Sequence, residues 1–264
     1  MNNAVVMDRG YAPRLPRVGT NGPDSTNERP QMVITGERTV PGIWHENYWF
    51  RRHEVVYELV AGLVGGLEVL EAGCGEGYGA DLLRRHAARV HALDYDEYAV
   101  DHVRRAYPDV SVVRGNLVAL PWADASHDAV VSLQTVEHLW DQDAFVEECF
   151  RVARPGGRVV VSTPNTLTFP PGNIYHPREL TPDELVDLVR RHGDVEIVLG
   201  LRHGPRLAAW EEVHGSLVDA QIAGPPGSWS SEVAATVEAV TTDDFELVPE
   251  DLATSLDVVA VARR

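Results

Sequence analysis

Two stretches of this 264-residue chain carry side chains able to do chemistry. The first is Val69-Leu70-Glu71-Ala72-Gly73-Cys74-Gly75-Glu76-Gly77-Tyr78-Gly79, an apolar run that closes on an acid and continues into four alternating glycines. Such a run reads as a buried strand turning sharply into a helix. A bulky ligand can lie against backbone only where no Cβ intervenes, so a ligand is expected on Gly73, Gly75 and Gly77. The next apolar run, Val90-His91-Ala92-Leu93, closes on Asp94, and a carboxylate at the tip of a second strand is placed to hold ribose hydroxyls. A nucleoside-containing cofactor follows. The second stretch is Gln134-Thr135-Val136-Glu137-His138, just past a later strand. There His138, with an ordinary pKa of about 6.5, is the foremost candidate for a general base, with Glu137 beside it. His176, Asp141, Glu179 and Asp143 rank behind.

Two cofactors fit a glycine turn and a ribose acid. A dinucleotide fingerprint G-x-G-x-x-G begun at Gly73 requires glycine where Tyr78 stands, and fails. Begun at Gly75 it gives Gly75-x-Gly77-x-x-Ala80, which is allowed, although the first glycine should directly follow the strand, as Gly73 does. A glycine turn with no ligand is the remaining reading. The pattern E-x-G-x-G-x-G from Glu71 to Gly77 resembles motif I of class I S-adenosylmethionine (SAM) methyltransferases. That resemblance implies SAM across Glu71, Gly73, Gly75, Gly77 and Tyr78, with Asp94 and Tyr95 at its ribose. Asn116 and Leu117, after the third strand, would hold adenine, and Gln134 would close the site.

Methyl transfer from a sulfonium is an in-line displacement, so positioning supplies much of the rate and the nucleophile must shed a proton. An alcohol acceptor therefore needs a base such as His138, or a metal that lowers the hydroxyl pKa. Glu137, His138 and His176 would offer one carboxylate and two imidazoles to a divalent ion such as magnesium. This set resembles the E-x-x-E-H motif of small-RNA 2′-O-methyltransferases and ubiquinone-pathway O-methyltransferases, which binds a divalent metal. The chain departs from that motif at its first glutamate, where the neutral, weaker ligand Gln134 stands.

The elements that must position these residues alternate apolar runs with helical patterns from Glu68 onward, the signature of a parallel, doubly wound α/β sheet. Strands are expected near 68 to 72, 89 to 94, 110 to 114, 128 to 133, 158 to 163, 195 to 201 and 256 to 262. Helices are expected near 77 to 86, 96 to 106, 141 to 153 and 181 to 192, the last opening on Thr181-Pro182-Asp183-Glu184. The expected architecture is thus a Rossmann-like, seven-stranded sheet with helices on both faces. Residues 1 to about 30 read as a mobile tail, and 31 to 264 as the catalytic domain. Within the domain, the aromatic-rich segment 34 to 60, with Trp44, His45, Tyr48, Trp49 and Phe50, reads as a lid or as a hydrophobic staple on the first helix. The insertion 203 to 255 reads as an acceptor-side cap or a homodimer contact.

A formal charge of −17 disfavours a partner made of phosphates, so nucleic acid is not expected. Cys74 and Cys149 are the only cysteines, and no disulfide framework is implied. No apolar run approaches a membrane span, and a soluble protein of the reducing cytoplasm is expected.

Over roughly residues 34 to 262 the chain resembles a class I SAM-dependent methyltransferase. The string Ile34-Thr35-Gly36-Glu37-Arg38-Thr39-Val40-Pro41 resembles an N-terminal segment of that class, which supports the lid. More narrowly, Glu46-Asn47-Tyr48-Trp49-Phe50-Arg51-Arg52-His53, the turn from Glu71 to Leu82, Val136 to Gln142, and His203-Gly204-Pro205-Arg206-Leu207 resemble mycobacterial methyltransferases of polymethylated polysaccharide synthesis, methylmannose polysaccharide and 6-O-methylglucose lipopolysaccharide among them. The resemblance implies a small saccharide acceptor, a mannoside or methylmannoside first and a glucoside second. A phenolic metabolite as acceptor, and a non-catalytic SAM-binding protein, are the rival readings.

Overall fold

A computed structural model describes residues 38–264, so the expected tail and the first part of the lid lie outside the described residues. The short apolar runs become β1 (Glu68–Ala72), β2 (Arg89–Asp94), β3 (Ser111–Arg114), β4 (His127–Leu133) and β5 (Ala153–Pro164), all mutually parallel. Three further strands follow, β6 (Asp194–His203), β7 (Phe245–Val248) and β8 (Asp257–Arg263), and the sheet order is β3-β2-β1-β4-β5-β8-β6-β7. β8 is antiparallel to both β5 and β6. The seven expected strands all form, and β7 adds an eighth. β6 continues past its expected end to His203, and β7 pairs with that extension from Gly200↔Val248 to His203↔Phe245.

Valine-rich strands buried on both sides need helices on both faces. Alternate residues of one strand serve opposite layers, as the period of two requires: Val159 and Val161 pack with Phe145 and Leu185, while Val160 packs with Val56 and Leu83. The layer on the Val160 side comes from α1 (Asn47–Leu63), α2 (Tyr78–Arg84) and α3 (Glu97–Ala106), and the other from α4 (Gln142–Val152) and α5 (Pro182–Arg190). The expected start of α5 is a full capping box. The Glu184 N–H donates to Thr181 Oγ1 at 3.2 Å, and the Thr181 N–H to Glu184 at 2.9 Å.

The insertion folds as α6 (Pro205–His214), α7 (Leu217–Ile222), α8 (Ser231–Ala239) and β7. Its apolar residues Leu207, Leu217, Val233 and Val237 surround Tyr48 of α1, which is fully buried. The Asn47 amide donates to the carbonyls of Val237 and Val240 at 3.0 and 2.8 Å, satisfying the end of α8. α1 and the insertion therefore pack together, through leucines and valines worth about 1.5 to 3 kcal/mol each when buried.

The sheet order reverses between β1 and β4, and ligands of open α/β sheets bind at the carboxyl ends of the strands on either side of such a point. Both chemical stretches of the sequence end there.

Candidate active site

The turn after β1 is left-handed at Gly73, Gly75 and Gly77, with φ of 88°, 52° and 95°. The reasons for glycine differ along it. A Cβ on Gly73 would stand 2.4 Å from the Thr135 side chain, and one on Gly77 2.5 Å from Val103. These two absences serve close packing of β4's exit loop and of α3. At Gly75 a Cβ would meet only the Arg38 side chain, at 3.6 Å, so this position lies open to a ligand.

Over this turn lies a cavity of about 770 Å³. Eight of the expected residues line it: Gly73, Gly75, Asp94, Tyr95, Asn116, Leu117, Gln134 and His138. Asp94 is buried and accepts from the N–H groups of Gly75 and Asp96 at 2.8 and 2.9 Å. Asn116 Oδ1 accepts from the Val118 N–H at 3.1 Å, which turns the loop after β3.

Three expected cofactor residues stand off the cavity wall, and each has a structural task. Glu71 is fully buried, takes a 2.5 Å hydrogen bond from the Tyr57 hydroxyl, and is pushed up to about 8 by burial. Gly77 begins α2 against Val103. The Tyr78 hydroxyl lies within hydrogen-bond distance of Thr39 and His53, at 3.3 and 3.2 Å, and its ring packs on Phe50. Tyr78 thus ties the glycine turn to α1 and to Thr39 before it.

A second cavity, of about 290 Å³, lies between α1, the loops after β4 and β5, and the insertion. Trp49, Arg52 and His53 from α1, Glu137 after β4, Phe169 and His176 after β5, and Ile222 of the insertion line it. Arg38, Gln134 and His138 belong to both cavities, so the two meet at these three side chains. Gln134 holds a left-handed φ of 51°, a conformation uncommon outside glycine, at the junction of the two cavities.

His138 has a defined tautomer. Its Nδ1 lies 3.0 Å from the Tyr175 carbonyl, which only accepts, so Nδ1 carries the proton and Nε2 keeps its lone pair. Burial lowers this imidazole to about 4, and it is neutral at ordinary pH. The His176 ring stands edge-on to it at 4.8 Å between centroids. His176 donates Nδ1–H to Glu179 at 2.8 Å, and its Nε2 accepts from the Asn173 amide at 3.1 Å. The Tyr175 N–H fixes that amide's orientation through Asn173 Oδ1.

Glu137, His138 and His176 do come together, with ligand atoms within 4.8 Å of one another. Glu137 is buried, its Oε2 has no partner, and burial pushes its carboxyl up to about 8. An orphaned carboxylate oxygen with two imidazoles oriented from behind fits a divalent ion, which would displace the Asn173 amide. Of the weaker candidates, His176 and its partner Glu179 stand at the site, while Asp141 caps α4 and Asp143 pairs with Arg191.

Ionisable side chains crowd the second cavity, yet charge is balanced there. Arg38 pairs with Asp94 and Asp96, and Arg52 with Asp257. Burial raises the carboxyls of Glu46 and Glu137 and lowers the imidazoles of His53 and His138, each toward its neutral form. Sequence reasoning did not single out Arg38, Glu46, Arg52 or His53 as site residues. Trp49, Arg52 and His53 share a helix face by their spacing, the one signal that pointed to them.

Among the described residues no helix is long and apolar enough to cross a membrane. A family model described as a methyltransferase domain matches residues 70–161. The chain is 52% identical over 254 residues to a protein of Mycolicibacterium smegmatis named a probable S-adenosylmethionine-dependent methyltransferase, covering 91% of this chain and 99% of the relative. A Mycobacterium tuberculosis protein of the same description is 50% identical over 272 residues, covering 96% and 98%. Among solved structures, a SAM-dependent methyltransferase of Thermotoga maritima superposes with a TM-score of 0.55 at 18% identity, covering 81% of this chain and 92% of the other.

Proposed function

The chain belongs to the S-adenosylmethionine-dependent methyltransferases, and we propose that it methylates a hydroxyl of a neutral saccharide, a mannoside or methylmannoside before a glucoside. The observation that carries this reading is the unprotonated Nε2 of His138 at the junction of the two cavities.

When bound, SAM supplies a methyl group on a positively charged sulfur, open to in-line attack. The residues present fit it. Gly75 leaves its backbone bare toward the larger cavity, Asp94 offers a carboxylate for ribose hydroxyls, and Asn116 and Leu117 line the wall where adenine would lie. Arg38 spans both cavities and is paired with Asp94 and Asp96 beside the site. His138 takes the proton from the acceptor hydroxyl through Nε2, with the Tyr175 carbonyl stabilising the imidazolium that forms. His53 and Glu137, each held toward its neutral form by burial, and Arg52, paired with Asp257, supply hydrogen bonds with little net charge, which suits an uncharged polyol. Trp49 and Phe169 offer ring faces for a pyranose.

The orphaned Oε2 of Glu137 favours a second reading of the same step, in which Glu137, His138 and His176 hold a divalent cation that lowers the hydroxyl pKa. Chelation followed by exhaustive dialysis separates the two. Activity that survives it excludes the metal.

The acceptor is tested with labelled SAM and a panel of mannosides, glucosides and catechols. Label is expected on a mannoside. Label on catechols alone would assign the protein to phenol methylation, and SAM binding with no product on any acceptor would make it a binding protein.

A further inference from the structure

The carbonyl that holds His138 Nδ1–H belongs to Tyr175, in a loop with little packing of its own: Ile174 is 88% exposed and Tyr175 is exposed as well. What shapes this loop is Asn173. Its backbone carbonyl accepts from the His176 N–H at 3.1 Å, its Oδ1 accepts from the Tyr175 N–H at 3.0 Å, and its amide donates to His176 Nε2 at 3.1 Å. The turn is closed on itself by one residue.

The Tyr175 carbonyl and the His176 N–H share a single planar peptide unit and point opposite ways across it. Asn173 holds that N–H, so the carbonyl is aimed out of the turn, at His138 Nδ1. The residues on either side of the plane are held by the Asn173 side chain, Tyr175 through its N–H and His176 through its ring. The turn is in turn fastened to the core. Glu179 takes Nδ1–H from His176 at 2.8 Å and a hydrogen bond from Thr166 Oγ1 at 3.4 Å, and the next residue, Leu180, is buried with its carbonyl accepting from the Thr166 N–H at 3.1 Å. Each step from Leu180 to His138 is a covalent link or a hydrogen bond.

We propose that Asn173 is a positioning residue for the transfer step, holding the Tyr175–His176 peptide so that the Tyr175 carbonyl keeps the hydrogen of His138 on Nδ1. This rests on His138 acting as the base. With the carbonyl turned away, either ring nitrogen can carry the hydrogen, and an imidazole protonated at Nε2 has no lone pair there for the acceptor hydroxyl. Asparagine suits the position because one short planar group both accepts from the N–H two residues on and donates to the neighbouring ring.

The experiment compares Asn173→Ala with Asn173→Ser in the full chain, since a serine hydroxyl can still accept the N–H two residues on and an alanine cannot. Asn173→Ala should lower kcat with methyl α-mannoside about 10-fold to 100-fold, with the acceptor KM and S-adenosylhomocysteine affinity within about twofold of wild type. Asn173→Ser should stay within about threefold in all three. A second readout needs no acceptor. The ring nitrogens of His138, identified in nitrogen-15 NMR by their loss in His138→Ala, should report hydrogen on Nδ1 in the wild type and in Asn173→Ser, and a mixture of tautomers in Asn173→Ala. An unchanged tautomer in Asn173→Ala, a serine variant as impaired as the alanine one, or a parallel loss of S-adenosylhomocysteine binding would overturn the proposal. If His138→Ala turns over normally, the base assignment fails, while the tautomer signal still decides whether Asn173 sets the state of that ring.

Discussion

His138 donates its Nδ1 hydrogen to the carbonyl of Tyr175 at 3.0 Å, joining the loop after β4 to the loop after β5. The bond fixes the tautomer, leaving Nε2 as the basic nitrogen of a side chain that lines both cavities. It also sets a pH prediction. A base works in its unprotonated form, and burial lowers this imidazole to about 4. The free-enzyme histidine therefore stays competent as pH falls through the usual histidine range near 6.5. The acid limb of kcat/KM should lie near pH 4 to 5, and a limb centred near 6.5 would contradict the assignment.

Asp94 organises the turn as well as facing the cofactor cavity, through the Gly75 and Asp96 N–H groups. Replacing it by alanine removes charge-assisted hydrogen bonds worth about 1.5 to 3 kcal/mol. Isothermal titration should show S-adenosylhomocysteine binding weakened roughly 10-fold to 150-fold. An unchanged affinity would place the ribose elsewhere.

Gly79 separates packing from ligand binding in the same motif. A Cβ there would stand 2.1 Å from the Tyr57 ring, beneath the turn. Gly79→Ala should cost about 1 to 3 kcal/mol by overpacking, a fall of several degrees in Tm. At temperatures where the variant stays folded, S-adenosylhomocysteine affinity should hold. Unaltered melting with lost binding would mean that this glycine faces the ligand.

The five parallel strands were legible because each carries a short apolar run, and the place of Asp94 on the cavity wall was legible because it ends such a run. β7 was not, since Phe245-Glu246-Leu247-Val248 is short and exists by pairing with the end of β6. The ligand was expected on Gly73, Gly75 and Gly77, but what Gly77 avoids is Val103, 26 residues on, a contact that only the fold creates. Glu71 looked like a ligand residue because it is an acid beside the glycines. Its burial against Tyr57 depends on where α1 lies, which no local pattern states. The charge balance of the smaller cavity was hidden for the same reason, since Arg52 and Asp257 are 205 positions apart.

The central claim is that His138 takes the acceptor proton, and it is tested most directly by His138→Ala measured for turnover and for S-adenosylhomocysteine binding together. Removing a general base costs roughly 100-fold to 10,000-fold in rate. The account predicts a loss of that size in kcat with cofactor affinity within about threefold of wild type. A variant that turns over at a near-normal rate would contradict it.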